Sequence, residues 1–483
     1  MREYRNPVLP GFFPDPSVCR VGDTFYLVNS SFEYTPGLPL HSSTDLVSWQ
    51  PIGSVIDRPG QLDFSDAADS GGLFAPTIRH HDGTFYVACT LMGEGPGRGS
   101  FYVTATDPAG PWSDPVFLPD ATGIDPSLFF DGDRVWWIGC RPAEPAQWPG
   151  QTEIWLRELD LGAGALVGDE WILWSGALRN AWWAEGPHLY KRDGWYYLVA
   201  AEGGTEFDHA VSVARSRSVT GPYEGNPRNP VFTHRHLGNG APVQNVGHAD
   251  LVETADGSWW ALLLGTRPIE GHHLLGRETF LTPVVWEDGW PVLNPGVGML
   301  SEVVGTAPAT ATAPFPTDDF RPSAQRPSSE WMTVRGARLP MLRRLQHHDA
   351  DVSTHVASGS RLGTAGGLLL RQSDEFFVRI EIRSTVEGWS GRAIVCASGV
   401  ETVASTVRLG ETASDVGATV GVRIRGLRIE PWIETDGARV ALGAVDGRVV
   451  STETAGGFVG CTVGPLGDPG VTVSWFDYRP AVG

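Results

Sequence analysis

Residues 10–30 read PGFFPDPSVCRVGDTFYLVNS, and this stretch contains a pattern that returns along the chain. In it, a Gly-Asp turn signal precedes an aromatic and apolar run that begins at Phe25. Similar signals precede FYVACT from Phe85, VWWIGC from Val135, YYLVAA from Tyr196 and WWALLL from Trp259. The successive runs are spaced by 60, 50, 61 and 63 residues. Strand-rich quasi-repeats of this length, without helical periodicity, predict the blades of a five-bladed β-propeller.

Ten or eleven residues before each run, one residue stands at a matching position. These residues are Asp15 in PDPS, Ala75 in FAPT, Asp125 in IDPS, Glu185 in AEGP and His248 in GHAD. The matching position of every propeller blade faces the central axis, so three carboxyl groups and one imidazole are predicted to converge there. That is the layout of a catalytic site.

Each candidate also has a structural interpretation. Asp before Pro commonly opens a turn, but PDPS and IDPS recur in one register. All three acids also lie beside apolar or aromatic neighbours, which for Glu185 are the tryptophans at 182–183, and such neighbours indicate burial. Burying three acids together is costly unless their repulsion serves to set different pKa values. We therefore interpret Asp15, Asp125 and Glu185 as functional. For His248, a buried histidine bonded to a carboxylate and a metal-linked histidine both remain open.

The composition narrows the class of partner. With 36 basic and 56 acidic residues, the chain has a net charge of −20 and contains no polybasic run. Such a chain is poorly suited to nucleic acid or an anionic membrane, so we expect neither as a partner. Nineteen Trp and 10% aromatic residues suit grooves that bind a neutral carbohydrate. Homo-oligomer formation is left open.

Targeting and redox signals point to the cytoplasm. MREYRNPVLPGFFPDPS has no charged-then-apolar leader, and no 18-residue apolar run occurs. The five cysteines, an odd number, are Cys19, Cys89, Cys140, Cys396 and Cys461. We expect reduced, buried thiols rather than a disulfide framework.

A composition change divides the chain. Residues 1–298 are predicted to form the propeller, and the Ala-, Thr- and Pro-rich residues 299–320 a linker. Beyond it, segments such as EFFVRIEI and VTVSWFDYR alternate with a period of two. Residues 321–483 are therefore predicted to form a β-sandwich of lectin-like type, which makes the chain all-β.

Several motifs carry a resemblance to a known family. Six segments, the long N-terminal one from NPVLPGFFPDPS, then GGLFAPTIRHHDGTFYV, GIDPSLFF, EGPHLYKRDGWYYLVAAEGGT, GHADLV and LLGRET, occur in order. Together they closely resemble family 43 of the glycoside hydrolases, in particular its two-domain β-xylosidases and α-L-arabinofuranosidases. The resemblance implies a five-bladed propeller and inverting hydrolysis of xylo- or arabino-oligosaccharides.

The resemblance also assigns roles to the acids. It implies that Asp15 is the general base, that Glu185 is the general acid, and that Asp125 orients Glu185 and raises its pKa. Inversion needs one ionised and one protonated carboxyl about 6.5–9.5 Å apart, with room for water between them. The family requires no cofactor, although in some members the residue matching His248 helps to hold a central calcium ion through waters.

The remaining site residues follow from the same resemblance. Arg277 matches an arginine that reaches toward substrate and acids, Phe32 an aromatic wall and Thr205 a pocket hydroxyl, while Phe74 stands where many relatives have tryptophan. Phe458, which we predict to lie in an apolar strand, matches an aromatic that closes the pocket. The match implies exo action on short hemicellulose oligosaccharides; burial of Phe458 in the sandwich core is the alternative. Rival functions are an endo-arabinanase-like hydrolase, a non-catalytic carbohydrate-binding propeller and a propeller scaffold for proteins.

Overall fold

A computed structural model describes residues 4–304, 318–319, 331–335, 340–357, 363–386, 388–409 and 417–481. Strands dominate these residues, which confirms the all-β prediction. The chain separates into two compact units, residues 1–267 with 277–307 and residues 268–276 with 308–483. Of the predicted linker, residues 305–317 and 320 lie outside the described residues, as does the predicted start of the sandwich at 321.

The described part of the first unit contains five antiparallel sheets of four or five strands. Sheet 1 consists of Ser17–Val21, Thr24–Val28, Gly37–Ser43 and Gln50–Ile56. Sheet 2 consists of Thr77–His81, Thr84–Leu91, Gly99–Ala105 and Val116–Phe117. Sheet 3 consists of Ile124–Asp131, Arg134–Pro142, Thr152–Asp160 and Ala165–Trp174. Sheet 4 consists of Glu185–Arg192, Trp195–Glu202, Ala210–Ser216, Glu224–Gly225 and Phe232–Thr233, and sheet 5 of Gln244–Glu253, Trp259–Thr266, Glu278–Glu287 and Trp290–Leu293.

The first strands of these sheets form a closed ring. Each contacts the first strand of the next sheet, and Gln244–Glu253 of sheet 5 contacts Ser17–Val21 of sheet 1. The aromatic runs identified in the sequence are the second strands, and apolar side chains such as Val28 and Ile78 fill the space between adjacent sheets. This closed, radial arrangement is that of a β-propeller.

The N-terminal residues are bonded to the last sheet of the ring and to the end of the first unit. Strand Tyr4–Arg5 pairs with Val303–Val304, and the Tyr4 hydroxyl donates to the Leu281 carbonyl of sheet 5 at 2.9 Å. Both ends of the first unit are thereby tied to sheet 5. A short strand at Tyr34–Thr35 and a 3₁₀ turn at Arg235–Leu237 lie in the connections.

The second unit is a β-sandwich. Sheet A contains Asp318–Asp319, Val473–Pro480, Asp349–Val356, Ala418–Arg425, Arg428–Thr435, Ala438–Ala441 and Val445–Asp446. Sheet B contains Arg343–Arg344, Thr462–Gly467, Ala365–Arg371, Phe377–Thr385, Gly388–Ala397 and Val400–Arg408. A strand at Thr333–Val334, a 3₁₀ turn at Gly447–Val450 and a helix at Thr452–Ala455 complete the described elements.

One hydrophobic core holds the sandwich together. It contains Val420 and Phe476 from sheet A and Leu368 and Ile380 from sheet B. Leu274 and Leu275 belong to the same core, although in sequence they lie between two strands of sheet 5. The second unit is therefore discontinuous in sequence, which the composition change at residue 299 did not indicate.

The thiols agree with the sequence. All five cysteines are buried, as predicted, and none is joined in a disulfide. Within the described ranges, we find no helix whose length and hydropathy would let it cross a membrane.

Candidate active site

The ladder register defines which residues are equivalent around the propeller axis. Five buried residues pair with the fourth residue of each aromatic run: Ser17, Thr77, Ser127, His188 and Asp250. Two positions before them lie Asp15, Ala75, Asp125, Gly186 and His248. The residue of sheet 4 that is equivalent to Asp15 is thus Gly186, and Glu185 precedes it by one position.

Four of these positions share an uncommon backbone conformation. Asp15, Asp125, Gly186 and His248 have φ values of 52°, 52°, 57° and 50°, in the left-handed region. Glycine adopts this region freely, and Asp, Asn and His tolerate it better than other residues do. Space is also tight, because a Cβ on Gly186 would lie 2.8 Å from the His248 ring. The bend precedes the first strand at Asp15 and lies inside the first strand at the other three positions, where the ladder register shifts.

Asp15 lies at the centre of a buried polar cluster. Arg277 Nη1 donates to its Oδ1 at 2.8 Å, and the Ser30 hydroxyl donates to its Oδ2 at 2.6 Å. His248 Nδ1 lies 3.7 Å from Oδ1. Burial by itself raises the pKa of Asp15, but Arg277, His248 and the Ser30 hydrogen bond together bring that pKa below its ordinary value. Asp15 is therefore ionised at neutral pH.

The other two acids are shifted in the opposite direction. Burial, and next the negative charges of Asp125 and Asp15, raise the pKa of Glu185 well above its ordinary value. Burial and the Asp15 charge raise the pKa of Asp125 to about 6, although His248 and the Gly186 N–H at 3.2 Å oppose the shift. One acid is thus held ionised while another keeps its proton, which is how environment separates the roles of paired carboxyls.

Aromatic rings lie beside the arginine that binds Asp15. Phe32 is buried, with its centroid 5.9 Å from Phe12 and 5.3 Å from Phe74. The Arg277 guanidinium carbon lies 5.8 Å from the Phe32 centroid. The structure therefore brings Phe32, Phe74 and Arg277 together with Asp15, and half-buried Phe74 retains surface for a ligand.

The rim beside Glu185 differs from the sequence interpretation. Trp182 and Trp183, used there as signs of burial, are 55% and 42% exposed. They lie on the loop before Glu185, where the Trp183 N–H donates to Gly150 and the Trp182 carbonyl accepts from Gly203. Half-buried Thr205 follows Gly203 and Gly204 in the adjacent loop.

Two residues near Asp15 were not identified from the sequence. Ser30 gave no signal beyond lying after an aromatic run. His209 is buried, shares a hydrogen bond of 3.0 Å between its Nδ1 and the Asn245 carbonyl, and interacts electrostatically with Asp15. Burial lowers the pKa of His209 to about 3, so it is neutral.

A second polar layer supports the acids. Arg79 forms a bidentate ion pair with buried Asp250 at 2.8 and 3.2 Å, and its Nη2 lies 3.0 Å from His188 Nδ1. The Ser17 hydroxyl also donates to Asp250 at 2.8 Å. Burial raises the pKa of Asp250, and Arg79 and His188 more than reverse the shift. Asp250, two residues after His248, thus ties the first strands of sheets 1, 2 and 5 to one another.

Phe458 belongs to the second unit. It was predicted to lie in an apolar strand, but it occupies the loop between the helix Thr452–Ala455 and the strand Thr462–Gly467. It is 40% exposed, which contradicts burial in the sandwich core. The strand prediction failed because a Gly-Gly pair precedes Phe458, and both glycines have positive φ.

A propeller that keeps one axial acid ionised and another protonated has the equipment of a two-carboxyl hydrolase. Residues 4–291 match the family described as glycosyl hydrolases family 43, and residues 328–467 match the beta xylosidase C-terminal concanavalin A-like domain. The chain belongs to glycosyl hydrolase family 43, which confirms the resemblance drawn from the six motifs.

Several relatives are similar over large regions. A xylosidase/arabinosidase of Butyrivibrio fibrisolvens is 54% identical over 62% of this chain and 58% of its own length. A non-reducing end alpha-L-arabinofuranosidase of Bacteroides ovatus is 46% identical over 60% of this chain and 53% of its own length. The matched region therefore spans little more than half of these relatives. The crystal structure of a xylan beta-1,4-xylosidase from Bacillus halodurans superposes with a TM-score of 0.88 at 31% identity, covering 99% of this chain and all of that one.

Proposed function

We propose that the protein is an exo-acting, inverting glycoside hydrolase that releases terminal β-D-xylose, α-L-arabinofuranose or both from short plant hemicellulose oligosaccharides. The observation that carries the proposal is the opposite direction of the pKa shifts of Asp15 and Glu185. The names of the relatives support the choice of pentose, since they include xylosidases and an arabinofuranosidase.

In the proposed mechanism, Asp15 and Glu185 act on opposite faces of the sugar. Ionised Asp15 removes a proton from a water molecule, whose oxygen attacks the anomeric carbon. Protonated Glu185 gives its proton to the glycosidic oxygen as the carbon–oxygen bond breaks. The negative charge of Asp125 supports this role because it disfavours ionisation of Glu185. Solvent then resets both protonation states.

Other residues are proposed to shape the sugar subsite. Half-buried Phe74 offers apolar surface to the sugar ring, whereas Phe32 is buried and packs behind Phe74 instead of forming the wall itself. Arg277 both fixes Asp15 and presents donors to hydroxyl groups. His248, whose Nδ1 lies 3.7 Å from Asp15 Oδ1, is proposed to contact the substrate. For Thr205 and Phe458 the support is the family motif alone. Cytoplasmic residence and the use of xylo- or arabino-oligosaccharides are proposed together, because exo action suits small imported substrates.

The stereochemical outcome tests the mechanism. Proton NMR during the first turnovers of a β-xyloside should show α-xylose before mutarotation if water attacks directly. Initial β-xylose would require a covalent intermediate and would overturn the assignments of Asp15 and Glu185. The same samples, run with an α-L-arabinofuranoside, give kcat/KM for each sugar and decide the preference.

The described residues bear on whether the protein could coordinate a calcium ion directly. Among the described residues, no group of three or more His, Cys, Asp or Glu is arranged to hold a metal ion. Calcium takes six to eight oxygen ligands, whereas His248 offers a ring nitrogen. The set does not fit direct coordination, and an ion held through waters stays a prediction. We expect EDTA to change kcat/KM by less than about twofold, as for a reaction that needs no metal; a larger loss, restored by calcium, would contradict this.

A further inference from the structure

Sheet A of the sandwich presents a polar and aromatic face opposite its core. Residues of one parity, including Val352, Val420 and Phe476, fill the core. Residues of the other parity are brought into line by the strand register. Across strands Val473–Pro480, Asp349–Val356, Ala418–Arg425 and Arg428–Thr435, one row runs Arg479, Asp351, Arg423, Glu430. The next row runs Asp477, Ser353, Gly421, Trp432 and then Ala441 of strand Ala438–Ala441.

The small residues of the second row make space for a flat indole. A Cβ on Gly421 would lie 2.2 Å from the Trp432 ring, so the ring rests directly on the glycine backbone. Any side chain at residue 421 would lift the ring off the sheet. The Arg439 guanidinium lies 3.6 Å from the ring centroid. A second indole, Trp475, is stacked at 13° against His355 in the following row.

Trp432 stands between two cavities on this face. One has a volume of about 420 Å³ and is lined by Arg428, Glu430 and Ala441, among others. The other has a volume of about 350 Å³ and includes Asp351, Ser353, Thr419, Trp475 and Asp477. Arg423, Trp432 and Arg439 line both. The two cavities are therefore halves of one groove, each of a size that suits a small ligand.

The charges of the groove cancel in local pairs. Arg423 lies 3.3 Å from Asp351, Arg428 2.7 Å from Glu430, Arg439 2.9 Å from Glu434, and Arg479 2.7 Å from Asp477. An anionic ligand would have to break one of these pairs and would meet the released carboxylate. A neutral ligand rich in hydroxyl groups meets no such penalty, since the guanidinium groups offer donors and the carboxylates offer acceptors.

The aromatic surface of the groove favours a carbohydrate among neutral ligands. The outer face of Trp432 carries the Arg439 guanidinium, and a sugar ring that displaces it gains a flat apolar area for its C–H face while the surrounding charged groups reach its hydroxyls. A purely apolar ligand would desolvate the ion pairs without replacing their hydrogen bonds. We propose that this groove, defined by Trp432, Trp475, Arg423 and Arg439, is a binding site for neutral oligosaccharides. It is separate from the acids of the propeller and does not depend on their function.

The test uses the full chain with Glu185→Gln, so that the oligosaccharide is not consumed. Titration calorimetry with xylohexaose, and separately with α-1,5-linked arabinohexaose, should show two binding events per chain. Adding Trp432→Ala should remove one event or weaken it by at least about tenfold, since stacking on an aromatic ring dominates such sites. Trp171→Ala is the matched control, because Trp171 is an exposed tryptophan of sheet 3 in the other unit, and both events should persist.

A second variant tests the groove without truncating Trp432. Gly421→Val keeps Trp432 but displaces its ring, so the same event should be lost. Melting temperatures of both variants within about 2 °C of the parent would show that the sandwich stays folded. Should Gly421→Val unfold the sandwich, Trp432→Ala and Arg439→Met decide the outcome.

Each contrary result is distinguishable. A single binding event that survives Trp432→Ala overturns the groove and leaves the propeller site intact. Loss of the propeller event alone, with the Trp432-dependent event retained, would count against the proposed hydrolase and not against the groove. Binding of trigalacturonate but of neither neutral hexamer would make the ligand an acid and overturn the neutral-ligand assignment. A Trp432-dependent dimer in sedimentation, without oligosaccharide binding, would overturn it too and assign the groove to a second copy of the chain.

Discussion

At the scale of single residues, the separation of the proposed general acid and general base depends on one cation and three carboxyls. Arg277 is directed at Asp15, where it stabilises the charged form through hydrogen bonds of 2.8 and 3.4 Å. Glu185 instead feels the charges of Asp125 and Asp15. In a site with few solvating waters such interactions are strong, so these two carboxyls titrate far apart.

The general acid can be tested through the leaving group. Glu185→Ala should reduce kcat/KM by at least about 100-fold on xylobiose, where the leaving oxygen needs a proton, and by much less on nitrophenyl xyloside. Asp15→Ala should impair both substrates to a similar extent, because each needs an activated water. Equal losses on both substrates for Glu185→Ala would remove it from the acid role.

Arg277 makes a prediction about pH. Its charge lowers the pKa of Asp15 and opposes the upward shift of the pKa of Glu185. Arg277→Met should therefore move the acidic limb of kcat/KM to higher pH by about one unit or more, with the alkaline limb shifting in the same direction. Ser30→Ala should give a smaller shift of the acidic limb, since it removes a neutral donor. An acidic limb that does not move in Arg277→Met would show that another group controls it.

At the scale of elements, the backbone near the start of each first strand determines which side chains face the propeller axis. The left-handed residue directs a side chain inward, and the residue two positions later enters the polar layer around Asp250. In sheet 4 the bend falls on Gly186, which leaves room for the His248 ring. The acid of sheet 4 is instead Glu185, one position before the bend, which directly follows the loop that carries the exposed Trp182 and Trp183.

This bend can be tested with a matched pair of glycines. Gly83, in the turn of sheet 2, has a φ of 75°, and a Cβ added to it would meet no atom within 4 Å. Gly83→Ala should cost about 1 kcal/mol of unfolding free energy, from backbone strain alone. Gly186→Ala meets the same strain and also the His248 ring, so it should cost more and reduce kcat by at least about tenfold. Equal stability and unchanged kcat in both variants would show that the contact with His248 is unimportant.

The sequence predicted what is local and periodic. The turn signals and aromatic runs identified the second strands, because that pattern depends on neighbouring residues only. The offset of Glu185 was not visible, since the ladder shifts register between Glu185 and His188. Ion pairs across the axis, such as Arg79 with Asp250, join residues 171 positions apart and leave no local pattern. The exposure of Trp182 was misjudged for a related reason, because apolar neighbours in sequence need not be buried together.

At the scale of the whole molecule, one short segment between two strands of sheet 5 belongs to the second unit. Residues 268–276 leave sheet 5, contribute Leu274 and Leu275 to the sandwich core, and return to Arg277. His273 in this segment bonds Glu453 through Nδ1 at 2.6 Å. The arginine that ionises Asp15 is therefore the first residue after a segment held by the second unit.

The proposed role of Phe458 can be tested by substitution. Because its side chain is 40% exposed, Phe458→Ala should change the melting temperature by less than about 2 °C. If the proposal for this residue holds, kcat/KM on xylobiose should fall by at least about tenfold through a higher KM. Phe476→Ala, at a fully buried position of the sandwich core, is the control that should lower the melting temperature clearly. Unchanged kinetics for Phe458→Ala would show that Phe458 does not contribute to the sugar pocket.

The left-handed bends at Asp15 and Asp125 also bear on how such proteins change over evolutionary time. Few residue types are comfortable in that backbone, and asparagine is one of them. A single base change converts an aspartate codon to an asparagine codon, so each acid can lose its charge while the bend and the shape of the axis persist. Under the proposed function, one substitution can therefore abolish hydrolysis while the fold and the sugar-binding surface persist, and the product of that change is a carbohydrate-binding protein with an unchanged fold.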